Sequence, residues 1–144
     1  MWRNLKSWLW NSASSVASGT LADASAHIQR LLDAPEGSLL IIEVTGLEDA
    51  FLQFTAGPRE IQINHPLIAP AQVEREHALR RVFAAAGFSP HETLGSDGTR
   101  FLDCDVPRDS VLAAILVQRI FESVFGITPS TQLRFVGNGL PPAA

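Results

Sequence analysis

With a single cysteine, Cys104, the chain cannot form an internal disulfide or build a thiolate cage for zinc. Tyrosine is absent, and no aromatic stripe is set among basic residues, which argues against a base-stacking RNA-binding sheet. Charge is sparse: Asp, Glu, Lys and Arg make up 18% of the 144 residues. Globular chains average about 25%, so a disordered polymer or a long solvated helix is not expected. The charge present sums to −4, and a mildly acidic surface repels phosphate backbones, so no nucleic-acid partner is expected. No segment approaches the ~20 apolar residues that span a bilayer. The opening residues lack the ~7–15-residue apolar stretch of a secretory signal, because Asn11-Ser12-Ala13-Ser14-Ser15 cuts the run short; a cytoplasmic protein is expected. Phosphate-cradling glycine patterns are missing too. Gly95-Ser96-Asp97-Gly98 reads as a turn, and Gly137-Asn138-Gly139 lies beyond the last expected helix.

What is there suits one packed domain. Hydrophobic residues make up 46%, enough for a core in a chain of this length. All three tryptophans fall within the first ten residues, where Trp2, Leu5, Trp8 and Leu9 recur at helical spacing between Arg3, Lys6 and Ser7. That stripe has three readings: it packs back on the domain, it docks on a partner protein or a second copy, or it lies on an anionic membrane surface. Trp2, Leu5, Trp8 and Leu9 are the candidate partner contacts. Residues 11–19, rich in Ser and Ala with Val16 as the larger apolar residue, read as a partly flexible linker or a poor helix extension, giving an arm-plus-linker over 1–19. Docking the tryptophans buries several hundred Å² at ~150–250 Å² each, worth several kcal/mol at ~25 cal/mol per Å². Ordering roughly ten residues at ~1–2 kcal/mol each offsets it. The near-zero balance predicts an arm separable from the body, docking when a partner enlarges the buried surface.

In the body, Thr20 and Asp23 have capping-pair spacing, and Leu21, Ile28, Leu31 and Leu32 give a helix over about 20–33 its apolar face. Leu39 to Val44 reads as a buried strand. Phe51-Leu52-Gln53-Phe54 and the alternating Glu60-Ile61-Gln62-Ile63 follow after short turns, which makes the three an antiparallel meander. A second helix over 72–86 carries Val73, Leu79, Val82, Phe83 and Ala86 inward and stops at Gly87. A weak strand at 91–94 and a stronger one at 101–106 make a second hairpin. Pro107 and Asp109 open a third helix, about 109–125, so apolar around its girth that a subunit interface is expected on it. Residues 133–136 offer one terminal strand, and 137–144 read as a loose tail. The fold class is therefore α+β, an α-β-β-β-α-β-β-α sandwich over 20–136 with an antiparallel sheet and helices packed on one face.

That order resembles the type III secretion chaperone fold and its YbjN-like relatives, the TY-Chap domains. Phe51-Leu52-Gln53-Phe54 is similar to the aromatic second strand of that group. Gln72 through Phe88, ending Ala86-Gly87-Phe88, resembles its central helix, and IFESVFGITP over 120–129 resembles its last helix and exit. The resemblance covers roughly 20–136. It implies a non-enzymatic domain, commonly dimeric, that holds an extended segment of a client protein along its surface.

The most reactive-looking cluster is Asp103-Cys104-Asp105, where a strand points both carboxylates to one face and the thiol to the other. Paired carboxylates bind a divalent ion or share a proton, but a solvated sheet face with Cys104 as a small buried hydrophobe is the reading preferred. His27, His65, His77 and His91 include no pair at metal-ligand spacing, and nothing local activates Cys104 toward a histidine. The expectation is a protein-binding module, chaperone-like or adaptor-like, homodimeric, with no cofactor, no metal and no catalytic residue. Two alternatives stay open: a small enzyme using Asp103, Asp105 or His65 in a cleft, and a peripheral membrane or assembly protein anchored by the arm.

Overall fold

The computed structural model describes residues 14–141. Seven strands, β1 (Ser14–Gly19), β2 (Leu39–Val44), β3 (Phe51–Ala56), β4 (Glu60–Pro66), β5 (His91–Leu94), β6 (Arg100–Pro107) and β7 (Leu133–Asn138), form one antiparallel sheet in the order β1-β7-β2-β3-β4-β6-β5. Four α-helices lie among the described residues: α1 (Ala24–Leu32), α2 (Pro70–Glu74), α3 (Glu76–Ala85) and α4 (Ser110–Ser123). The α+β class, the β2-β3-β4 meander and the β5-β6 hairpin are as the sequence pattern predicts.

Local signals account for the element ends. The Asp23 carboxylate accepts from the Thr20 amide (2.9 Å), closing a capping box that opens a 3-10 turn, Leu21–Asp23, running into α1. Asp109 accepts from the amides of Val111 (3.0 Å) and Leu112 (3.1 Å), satisfying two donors that the first turn of α4 leaves open. Gly87 and Gly126 end the helical runs with φ of +89° and +72°, a conformation that costs glycine nothing and a β-carbon a good deal.

Strand alternation then separates two faces. Leu40, Ile42, Leu52, Phe54, Ile61, Ile63, Cys104 and Phe135 point to the inner face, where they meet Ile28 and Leu31 of α1, Leu79 and Phe83 of α3, and Leu116, Ile120 and Phe121 of α4. Each such side chain contributes about 1.5–3 kcal/mol on full burial. Among the described residues, the outer face holds a second buried cluster, Ile41, Phe51 and Val136 with Leu39 against it.

Three boundaries differ from the sequence reading. Ser14–Gly19, expected as linker, is edge strand β1, paired along its length with β7 from Ser14↔Asn138 to Gly19↔Leu133. Packing is close at the end of this strand, where a β-carbon on Gly19 would meet the Asp23 carboxylate and oblige it to move. The body therefore begins by residue 14 rather than 20. At the other end, β7 runs on to Asn138 and Arg30 donates to the Pro141 carbonyl (2.9 and 2.7 Å), so 137–141 belong to the body instead of a loose tail. The second helix is two, beginning at Pro70 and broken at Arg75, whose guanidinium donates to the Asp49 carbonyl (2.8 Å) and lies 5.1 Å over the Phe125 ring.

Cys104 is fully buried on the inner face. Cys104→Ala is expected to cost about 1–2 kcal/mol through a small cavity, and Cys104→Asp far more through a buried charge, as read by urea unfolding. The native thiol should resist labelling; rapid reaction with a thiol reagent would contradict the packing.

Candidate functional site

β6 places Asp103 and Asp105 on the outer face and Cys104 on the inner one, as strand geometry requires. The two carboxylates have different surroundings. Asp105 is exposed opposite Gln62. Asp103 is buried, with Asn64 Nδ2 donating to one oxygen and Thr93 Oγ1 to the other, each at 2.5 Å. Those two bonds come from β4 and β5, the strands flanking β6, so Asp103 ties three strands together. Its oxygens are occupied by neutral donors, an arrangement that stabilises a sheet rather than presenting a free carboxylate.

His65 lies on the other side. It is two residues on from Ile63, shares the inner face, and is buried between the Phe51 carbonyl and the Phe125 ring. Its Nδ1 donates to that carbonyl (3.3 Å), while Nε2 has no hydrogen-bond partner among the described residues. Burial pushes the imidazole pKa down to about 4, with the nearby Arg75 charge adding to the shift and the Phe51 and Gln72 backbone opposing it. The cleft of Asp103, Asp105 and His65 therefore does not form: the sheet itself separates the carboxylates from the imidazole. The other histidines are dispersed. His27 stacks on Phe135 with ring centroids 4.1 Å apart, and His77 and His91 are exposed on α3 and β5. Among the described residues no three His, Cys, Asp or Glu side chains gather as a metal site. Burial, helped by the Asp105 charge, raises the Cys104 thiol to about 11, which keeps it protonated and a poor nucleophile.

Concave and apolar surface lies elsewhere. A groove of about 400 Å³ runs between α3 and α4, lined by Ala78, Arg81, Val82, Ala85, Ser123 and Val124. On α4 itself, Val111 and Ile115, one turn apart, are 61% and 43% exposed. The outer face carries a smaller hollow of about 210 Å³ bordered by Leu39, Gln53, Gln62, Asn64 and Phe101. Sequence reasoning placed the interface on α4 from its girth but did not single out Val111 and Ile115; the signal was available in their i,i+4 spacing opposite Ala113, Leu116 and Val117. The candidate contacts Trp2, Leu5, Trp8 and Leu9 lie outside the described residues. Among the described residues no helix is long and apolar enough to cross a membrane.

The buried imidazole makes stability depend on pH. An unfolded chain binds a proton at His65 near pH 6.5, whereas the folded one resists until about 4. Stability is therefore complete above 6.5 and declines as pH falls toward 4, by at most about 3 kcal/mol from this residue. His27, also lowered by burial and Arg30, acts in the same direction. In urea unfolding across this range, His65→Gln should flatten the acid slope; slopes that run parallel would contradict the buried neutral imidazole. No family model, curated protein or solved structure matches this chain, so its chemistry rests on its own geometry.

Proposed function

We propose that this domain is a non-enzymatic protein-binding module, chaperone-like or adaptor-like, acting in the cytoplasm as a homodimer that holds a segment of a client protein. The observation that carries the reading is the exposed pair Val111 and Ile115 on α4, a helix whose opposite side is locked into the core. Two β-branched side chains one turn apart form a self-complementary ridge of the kind a two-fold contact uses. The groove between α3 and α4, with Arg81, Arg119 and Glu122 near its rim, suits an apolar client segment with charged flanks. Separation of His65 from Asp103 and Asp105 supports the non-enzymatic part, since general acid–base chemistry needs its groups within reach of one substrate. The resemblance to secretion chaperones, drawn from 51–54, 72–88 and 120–129, points the same way.

Light scattering at tens of micromolar should report a dimer. Val111→Glu combined with Ile115→Lys, an ion-pair order that suits a helix surface, should give a monomer with its melting temperature nearly unchanged, because both positions are exposed. A wild-type chain that scatters as a monomer removes the dimer.

A further inference from the structure

We propose that the polar hollow over β3 and β4, on the outer face of the sheet, is a binding site for one neutral polyhydroxylated ring, a sugar. Strand register builds it. Gln53 stands opposite Asn64 and Thr55 opposite Gln62, so β3 and β4 set three carboxamides and a hydroxyl in a square array. Asn64 and Gln62 in turn face Asp103 and Asp105 on β6. Leu39 on β2 and Phe101 on β6 border the hollow on either side. Gln53 carries the inference: it is only 7% exposed, yet its carboxamide has no hydrogen-bond partner among the described residues. Buried polar groups are ordinarily paired. Asn64 repeats the pattern. Its Nδ2 donates to Asp103, which fixes the orientation of the amide because a carboxylate only accepts, and Oδ1 is left buried without a donor among the described residues.

The surroundings select the ligand class. Among the described residues no Lys or Arg lines the hollow, and Asp105 is exposed beside Gln62, so phosphate and carboxylate ligands are repelled. Asp103 offers little to a cation, since Asn64 and Thr93 occupy its oxygens. What fits is a neutral molecule rich in hydroxyls, each of which both donates and accepts. A carboxamide presents a donor and an acceptor side by side, matched to two adjacent hydroxyls of a sugar. The Phe101 ring supplies an apolar surface for the C–H side of the same molecule. Size agrees. At about 210 Å³ the hollow is below the ~300–1,000 Å³ of drug-sized pockets, too small for a nucleotide. Three neighbouring strands at ~4.8 Å spacing, with a two-residue step along each, give a polar field of about 10 by 7 Å, the footprint of one six-membered ring with its hydroxyls. The hollow and α4 lie on opposite faces of the sheet, so the inference stands apart from the dimer reading.

The test is titration of the full-length, isotope-labelled chain with glucose, galactose, mannose and N-acetylglucosamine, read by NMR. At least one should bind saturably with a Kd of about 1 mM, the level that ~12 non-hydrogen atoms reach. It should shift the side-chain amide signals of Gln53, Gln62 and Asn64 and leave those of Gln29 on α1 and Gln118 on α4 in place. Gln53→Leu should weaken that binding about tenfold, the worth of one lost hydrogen bond in a covered site. Thr55→Val, at an exposed strand position, should weaken it several-fold with the melting temperature kept, and it keeps the test open if Gln53→Leu fails to fold. No saturable shift with any of these sugars at tens of millimolar overturns the proposal, as does binding that both variants leave unchanged. Methylguanidinium or inorganic phosphate that shifts the same amides where the sugars do not would overturn it in favour of a charged ligand.

Discussion

The sheet depends on β7 having a partner on each side. Its backbone pairs with β2 from Leu133↔Val44 to Asn138↔Leu39, and with β1 from Leu133↔Gly19 to Asn138↔Ser14. Among the described strands β1 pairs with β7, which holds it in the sheet. Side chains of β7 reach both layers: Phe135 stacks on His27 of α1, and Val136 centres the outer cluster. Arg134 pairs with the buried Glu43 on β2 (2.5 Å), a charge-assisted tie between the two strands. A strand of six residues therefore fixes the first strand, the first helix and both faces at once.

Period-two alternation also decides where chemistry is able to occur. Ile61, Ile63 and His65 run along one side of β4, while Asp103 and Asp105 run along the opposite side of β6. No side-chain rotation brings an imidazole through a hydrogen-bonded sheet. Two of the buried carboxylates are held by their sheet neighbours, Asp103 by Asn64 and Thr93, Glu43 by Arg134. Such groups hold strand register, since a one-residue slip would move every one of them to the wrong face.

Elements whose stability comes from their own side chains were legible in the sequence. The Thr20/Asp23 box, the Asp109 cap and the stops at Gly87 and Gly126 each act within a turn of the residue that supplies them. β1 was not legible because its contribution is almost entirely backbone: Ser14, Ser15, Ala17, Ser18 and Gly19 carry no strand signal, and the partner lies far along the chain. The break at Arg75 was hidden for a similar reason. Glu74, Arg75 and Glu76 are all good helix formers, and the interruption coincides with tertiary contacts to Asp49 and Phe125. His65 could have been placed inward from its parity with Ile61 and Ile63. The position of Asp103 relative to it required the β4–β6 register, which spacing alone does not reveal.

The place of β7 in the sheet also bears on how the protein is made. Synthesis proceeds from the N-terminus, so β7 leaves the ribosome after every other strand, yet it occupies a position between two of them. Until it arrives, β2 presents an open hydrogen-bonding edge of Leu, Ile and Val, the kind of edge that pairs readily with other chains. β1 over the same interval has nothing in the sheet to hold it. Pairing with β7 is therefore what guards the most hydrophobic strand of the meander, and a chain cut before residue 133 would lose that protection.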